Sequence, residues 1–121
     1  MNILVVDDSK AMRMIVRRTL RQIGYGSENV LEASTGHEAL EMVKGSVPDL
    51  MLCDWNMPGM SGIELLRSIR ELGRYLPFVF VTTECTNEMR LEAADAGADY
   101  LISKPFTAEH FQIALNTVLK P

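Results

Sequence analysis

The sequence predicts an α/β fold in which helices cover both faces of a five-stranded parallel sheet. Short apolar runs alternate with segments of helical periodicity along all 121 residues, which is the pattern of repeated strand–helix units. The strongest apolar runs contain no alternation of polar and apolar residues. We therefore expect both faces of these strands to be buried, as they are in a parallel sheet.

Five strands are predicted along the chain, three from continuous apolar runs and two from weaker patterns. The strong runs are Ile3–Val6, Leu50–Cys53 and Phe78–Val81, and the weaker ones are Val30–Leu31 and Tyr100–Ile102. A helical segment follows each of these strands, so the chain is predicted to consist of five βα units.

Each predicted helix begins after a serine or threonine, whose side-chain oxygen accepts a hydrogen bond from the first helical turn. In chain order these N-cap residues are Ser9, Thr35, Ser61, Thr86 and Thr107. Glu38 and Glu64 follow two of them at the spacing of a capping box. Gly24 and Gly97 stand where the ends of helices require a left-handed residue.

Composition and charge exclude several classes of protein. The chain has 47% hydrophobic and 23% charged residues, which is typical of one globular domain and not of a disordered or fibrous chain. Its net charge of −4 has the wrong sign for binding a nucleic-acid backbone or an anionic membrane. No signal peptide, membrane span or CxxC pair is present in the sequence, so we expect a cytoplasmic protein with free thiols.

Polar residues follow the predicted strands. Asp7 and Asp8 come after the first strand, Asp54 after the third, Thr82 at the end of the fourth and Lys104 at the end of the fifth. Ligands bind such sheets at the carboxyl ends of the strands, where the strand order reverses. If the order is 2-1-3-4-5, this point lies between strands one and three, and three carboxylates share one pocket.

A cluster of three carboxylates indicates a metal site. Like charges a few ångströms apart destabilise the folded chain unless a cation neutralises them. Oxygen ligands of this kind suit Mg²⁺, which also binds phosphate. Thr82 offers a hydroxyl and Lys104 a positive charge, so a phosphoryl group is expected beside the metal. The structural alternative at any single junction is an acidic helix N-cap.

At four segments the chain resembles the receiver domains of two-component response regulators, and among them the single-domain chemotaxis members. The segments are Val5–Asp8, Asp54–Gly62, Val81–Glu84 and Lys104–Phe106. All four occur in order, and the resemblance covers essentially the whole chain. It implies a single receiver domain at residues 1–121 without an output domain, with a flavodoxin-like, doubly wound (βα)5 sheet of order 2-1-3-4-5.

The resemblance also implies a role for each polar residue. Asp54 would be the phosphoacceptor, Thr82 would bond a phosphoryl oxygen, and Lys104 would pair with the phosphoryl group. The Mg²⁺ ligands would be Asp8 directly, Asp7 through water, Asp54, and the backbone carbonyl of Asn56. The peptide bond between Lys104 and Pro105 is expected to be cis.

The chain departs from the family at two positions. Thr83 stands where the family usually has alanine or glycine, which would narrow access to the phosphoryl site. Leu101 stands three residues before the lysine, where the family has a rotating aromatic residue. Tyr100 lies one residue too early to replace it, because neighbouring residues of a strand face opposite sides.

The function implied by the resemblance is that of a phosphorylation-controlled binding protein, not an enzyme acting on external substrates. A partner histidine kinase or histidine phosphotransfer domain would donate the phosphoryl group. The phosphorylated form would bind a separate target protein through the fourth helix, fifth strand and fifth helix, with the flagellar motor switch as the candidate target. We expect a monomer that binds neither nucleic acid nor membrane.

Two alternatives are compatible with this chemistry. A phosphorelay intermediate or phosphate sink would use the same acceptor but pass on or discharge its phosphoryl group. A Mg²⁺-dependent aspartyl phosphatase is less well supported, because such enzymes use a second acid two residues after the nucleophile. This chain has Asn56 at that position.

Overall fold

The computed structural model describes residues 1–119 and contains a five-stranded parallel sheet. The strands are β1 (Asn2–Val6), β2 (Asn29–Ala33), β3 (Leu50–Cys53), β4 (Phe78–Thr82) and β5 (Tyr100–Ser103). The order is β2-β1-β3-β4-β5, and all four neighbouring pairs are parallel. The predicted flavodoxin-like fold and strand order are confirmed, and each predicted apolar run lies inside an observed strand.

Five helices connect or follow these strands. They are α1 (Lys10–Gln22), α2 (Gly36–Gly45), α3 (Gly62–Glu71), α4 (Asn87–Ala96) and α5 (Ala108–Val118). All five predicted N-cap residues accept a hydrogen bond from the first turn of their helix. Gly24 and Gly97 have φ angles of 99° and 100°, so both adopt the left-handed conformation that was predicted for them.

The two predicted capping boxes have different outcomes. At the start of α3, Ser61 and Glu64 form the reciprocal pair of hydrogen bonds. At the start of α2, Thr35 accepts from the backbone of Glu38, but the Glu38 carboxylate accepts from the backbone N–H of Ser34 at 2.7 Å. The second box is therefore only half formed, because the carboxylate reaches one residue beyond the N-cap.

The sheet has an apolar layer on each face. Val5 and Leu52 belong to the layer that packs against α1 and α5, whereas Val6 and Met51 belong to the layer under α2, α3 and α4. Adjacent residues thus contribute to opposite layers, which explains why the strands lack polar alternation. Within residues 1–119, no helix has both the length and the apolar character needed to span a membrane.

In the described part of the chain, Cys53 and Cys85 are free thiols. Cys53 is buried and Cys85 is half-buried. The C-terminal residues 120 and 121 lie outside the described residues. The expectation that no output domain follows them stays a prediction.

Arg70 of α3 connects elements at the amino-terminal edge of the sheet. Its guanidinium donates hydrogen bonds to the backbone oxygens of Arg74, Leu76 and Gly97, at 3.0, 2.9 and 2.7 Å. It also lies 3.6 Å from the carboxylate of Asp99, and its side chain is 14% exposed. A single side chain therefore joins α3 to the end of α4 and to the segment before β4.

We predict that Arg70→Met lowers the free energy of unfolding by about 2 kcal/mol, because three backbone carbonyl groups lose a charged donor and the hydrogen bond to Leu76 is partly buried. Urea denaturation measures the change. Arg74→Met is the matched control, since its side chain is exposed, and its effect should stay within about 0.5 kcal/mol. Equal losses in the two variants would contradict the role assigned to Arg70.

Candidate functional site

Three carboxylates meet at the carboxyl ends of β1 and β3. One oxygen from each of Asp7, Asp8 and Asp54 lies within 4.8 Å of the others. The two strands are neighbours, and the backbone N–H of Asp54 donates to the oxygen of Val6 at 2.9 Å. The reversal of strand order therefore brings together acids that are distant in the sequence.

The three acids differ in their surroundings. Asp7 is 4% exposed, and its two carboxylate oxygens accept from the backbone N–H of Ser9 at 2.9 Å and from Nζ of Lys104 at 3.2 Å. Asp54 is half-buried, and its Oδ1 accepts from the backbone N–H of Trp55 at 2.9 Å. Asp8 is exposed, and within residues 1–119 no hydrogen bond holds its carboxylate.

Lys104 places a positive charge between two of the acids. Its Nζ lies 3.2 Å from Oδ2 of Asp7 and 3.6 Å from Oδ1 of Asp54, and its side chain is only 10% exposed. The backbone positions this side chain, because the N–H of Lys104 donates to the oxygen of Thr82 at 2.7 Å. The bond between Lys104 and Pro105 is cis, as the family resemblance predicted.

Thr82 contributes a buried hydroxyl. The residue is fully buried, and its Oγ1 has no hydrogen-bond partner in the part of the chain that the structure describes. A buried polar atom without a partner is costly, so this hydroxyl is suited to a ligand oxygen. Asn56 and Thr83 are exposed in the loops after β3 and β4, and the predicted backbone contact of Asn56 with the metal stays a prediction.

Burial raises the pKa of Asp54 above its ordinary value. The ammonium of Lys104 opposes this increase, whereas the carboxylate of Asp7 adds to it. Burial also raises the pKa of the Cys53 thiol, and the nearby charges of Asp54 and Asp7 act in the same direction. Cys53 therefore remains protonated at neutral pH, and its Sγ donates to the backbone oxygen of Asp54 at 3.1 Å. The cluster offers carboxylate oxygens and no thiolate, a donor set that fits Mg²⁺.

Gly62 is a site residue whose role the sequence analysis missed. A β-carbon at this position would lie 2.3 Å from the backbone oxygen of Asp54 and 2.9 Å from the ring of Phe80. The N–H of Gly62 also donates to the oxygen of Trp55 at 2.8 Å. The first residue of α3 must therefore be glycine for the helix to approach the backbone of Asp54 this closely.

Arg13 is a second residue whose role at the site the sequence analysis missed. Its guanidinium contacts the backbone oxygen of Asp7 and the side chain of Glu32. The four-residue spacing of Arg13, Arg17 and Arg21 places them along one side of α1. The spacing alone does not predict that Arg13 donates to the backbone oxygen of Asp7.

This fold and this cluster of residues define a receiver domain. The profile of the response regulator receiver domain family matches residues 3–116. The chain therefore belongs to this family, whose members act in two-component signal transduction.

Several of the similar proteins are chemotaxis proteins. The chain is 43% identical to the chemotaxis protein CheY-3 of Vibrio cholerae over 122 aligned positions, which cover 99% of this chain and 92% of that protein. It is 44% identical to the chemotaxis protein CheY of Pseudomonas aeruginosa over 111 positions, covering 90% and 88%. The structure of CheY4 from Vibrio cholerae matches with a TM-score of 0.86, at 34% identity and 97% coverage of both chains. These comparisons confirm the resemblance to the chemotaxis members.

We predict that Asp54→Asn stabilises the metal-free protein at neutral pH. Because the pKa of Asp54 is raised in the folded state, ionisation of this carboxyl favours the unfolded chain. The gain should disappear once the pH falls below about 4, the ordinary pKa of aspartate, because the carboxyl is then protonated in both states.

Urea denaturation in the presence of a chelator, at neutral pH and at several lower values, measures this gain. Asp95→Asn is the control, since Asp95 is exposed on α4 and outside the acid cluster. A neutral-pH stability of Asp54→Asn below that of the wild type would contradict the prediction.

Proposed function

We propose that this protein is a response regulator that accepts a phosphoryl group on Asp54 in a Mg²⁺-dependent reaction. The donor would be the phosphohistidine of a partner kinase or phosphotransfer domain. The observation that carries the proposal is the convergence of three carboxylates with Lys104 and the unpartnered hydroxyl of Thr82. An acceptor, a cation site and two donors for phosphoryl oxygens thus lie at one edge of the sheet.

Asp7, Asp8, Asp54 and the backbone carbonyl of Asn56 are the residues that would hold the metal. When bound, Mg²⁺ supplies positive charge that offsets the acids and the phosphoryl oxygens. In the transfer, a carboxylate oxygen of Asp54 forms a bond to phosphorus while the bond from phosphorus to the donor nitrogen breaks. Lys104 and Thr82 then hold phosphoryl oxygens through charge-assisted hydrogen bonds.

The protein's share of this reaction is to position groups and balance charge. Burial raises the pKa of Asp54, whereas the nearby ammonium of Lys104 favours the charged form of the carboxylate. As a member of the receiver family, the protein would promote only its own phosphorylation and dephosphorylation and act as a signalling protein. Turnover of an external phosphate ester would instead favour the phosphatase alternative.

We expect incubation with Mg²⁺ and a small acyl phosphate to add one phosphoryl group to the wild-type protein, measured by intact mass. Asp54→Asn should add none, because the acceptor oxygen is replaced by an amide. Asp95→Asn, a change of the same size outside the cluster, should be labelled like the wild type, and a chelator should prevent labelling. Full labelling of Asp54→Asn would show that another residue is the acceptor.

The proposed output is binding to a separate target protein, with α4, β5 and α5 as the contact surface. A groove between α4 and β5 supports this assignment, and Arg90, Ala94, Asp99 and Tyr100 are among the residues that line it. The relatives are named as chemotaxis proteins, which makes the flagellar motor switch the favoured target.

A phosphorelay step or phosphate sink is the alternative function. That the protein is a single domain, a monomer and cytoplasmic stays a prediction.

The coupling between Thr82 and this contact surface would differ from that in family members with a rotating aromatic residue. In β5, Leu101 packs in the layer under α2, α3 and α4, whereas Tyr100 packs in the layer under α1 and α5. Leu101 lies beside Phe80 in the sheet register, two residues before Thr82. Leucine has no hydroxyl to exchange between buried and exposed positions. We infer that movement of Thr82 and of the loop 83–86 carries the signal, with Leu101 following as an apolar filler.

We expect Thr82→Ala to abolish most of the response of α4 to beryllofluoride, a phosphoryl mimic, because the hydroxyl that would contact it is lost. Tyr100→Phe should change the response little, and Thr82→Ser should restore it. Amide chemical shifts recorded with Mg²⁺, with and without beryllofluoride, measure the response. If Tyr100→Phe silenced α4 while Thr82→Ala did not, Tyr100 would be the switch residue.

A further inference from the structure

Arg13 of α1 donates hydrogen bonds to two groups outside its own helix. Its Nη1 donates to the backbone oxygen of Asp7 at 2.6 Å, and its Nε donates to Oε1 of Glu32 at 2.8 Å. The Arg13 side chain is 13% exposed, whereas that of Arg17, one turn further along α1, is 41% exposed. Arg13 is therefore packed into the protein beside the acid cluster and does not project freely into solvent.

The oxygen that Arg13 holds belongs to the peptide group between Asp7 and Asp8. A peptide group is planar, so fixing its oxygen also fixes the nitrogen and α-carbon of Asp8. No hydrogen bond among the described residues restrains the Asp8 carboxylate itself, and its direction therefore depends on this backbone. We propose that Arg13 is a positioning residue that orients the acid pair for metal binding, an inference that rests on the proposed Mg²⁺ site.

Glu32 gives the guanidinium a fixed orientation. It lies in β2 and is paired in register with Val5 of β1, so its position is fixed relative to the end of that strand. Its carboxylate accepts from Nε and leaves Nη1 directed at the Asp7 oxygen. Without Glu32, the charge of Arg13 would be attracted to the neighbouring aspartate carboxylates.

Positioning and simple electrostatics predict opposite effects for the loss of Arg13. A positive charge near a cation site repels the cation, so its removal by itself should strengthen Mg²⁺ binding. Loss of a group that orients a metal ligand typically weakens metal binding by about 10- to 100-fold. The sign of the change in affinity therefore distinguishes the two roles.

Mg²⁺ titration followed by the fluorescence of Trp55 provides the first test. Trp55 is the only tryptophan in the sequence, and its backbone N–H donates to the carboxylate of Asp54. Arg13→Met should bind Mg²⁺ about tenfold more weakly than the wild type. Arg17→Met is the matched control, because Arg17 also pairs with Glu32 but makes no hydrogen bond to Asp7 in the described chain, and it should bind at least as tightly as the wild type.

Arg13→Lys separates charge from geometry, because lysine keeps the charge but lacks the planar fork that reaches two acceptors. It should bind Mg²⁺ about as weakly as Arg13→Met, and it replaces that variant if Arg13→Met does not fold. Wild-type affinity in Arg13→Lys, undiminished affinity in Arg13→Met, or an equal loss in Arg17→Met would each overturn the positioning role.

Amide hydrogen exchange in metal-free protein provides a second test that does not depend on Mg²⁺. The N–H of Ser9 donates to Oδ1 of Asp7, so its exchange should be faster in Arg13→Met and Arg13→Lys than in Arg17→Met. Equal exchange rates would overturn the inference even if the metal site is real. Failure of the metal site itself has a different signature, namely no Mg²⁺ response in the wild type or a full response in Asp8→Ala.

Discussion

Repulsion among the carboxylates of Asp7, Asp8 and Asp54 is the constraint on which the arrangement of this site depends. Their oxygens lie within 4.8 Å of one another, and the single ammonium of Lys104 contacts two of the three acids. Because burial also raises the pKa of Asp54, its charged form is less favourable here than in water. The three carboxylates therefore carry more negative charge than Lys104 can offset. The proposed Mg²⁺ would supply positive charge to the carboxylates, and Lys104 would then be available to bind phosphoryl oxygens.

Acids that repel one another cannot hold each other in place, so their positions must come from the backbone. On the β3 side, Gly62 allows the first turn of α3 to contact the backbone oxygen of Asp54. On the β1 side, Arg13 donates to the backbone oxygen of Asp7, and Glu32 accepts from the same guanidinium. Both contacts are made to main-chain atoms, which suits a site whose side-chain charges change when a metal or phosphoryl group binds.

The side chain of Thr82, unlike the backbone of Asp7 and Asp54, is not held by such a contact. Its hydroxyl is buried without a partner among the described residues, so a phosphoryl oxygen would give it a hydrogen bond that the free protein lacks. Leu101 packs near the same strand on the same face of the sheet. A ligand that favours one position of Thr82 would therefore shift the population toward one packing of β4, β5 and the loop that follows β4.

The sequence by itself determined the fold class, the strands, the five N-caps and the residue types at the strand ends, because each depends on local periodicity or on neighbours within a few residues. Strand order followed from the family resemblance and not from the pattern of residues alone. Only the tertiary structure decided that the carboxylate of Glu38 passes the N-cap to reach Ser34, that Gly62 contacts Asp54, and that Arg13 holds the Asp7 carbonyl. These contacts depend on side-chain rotamers or on distances between separate elements. Such distances are set by how helices pack on the sheet, and no short stretch of sequence encodes them.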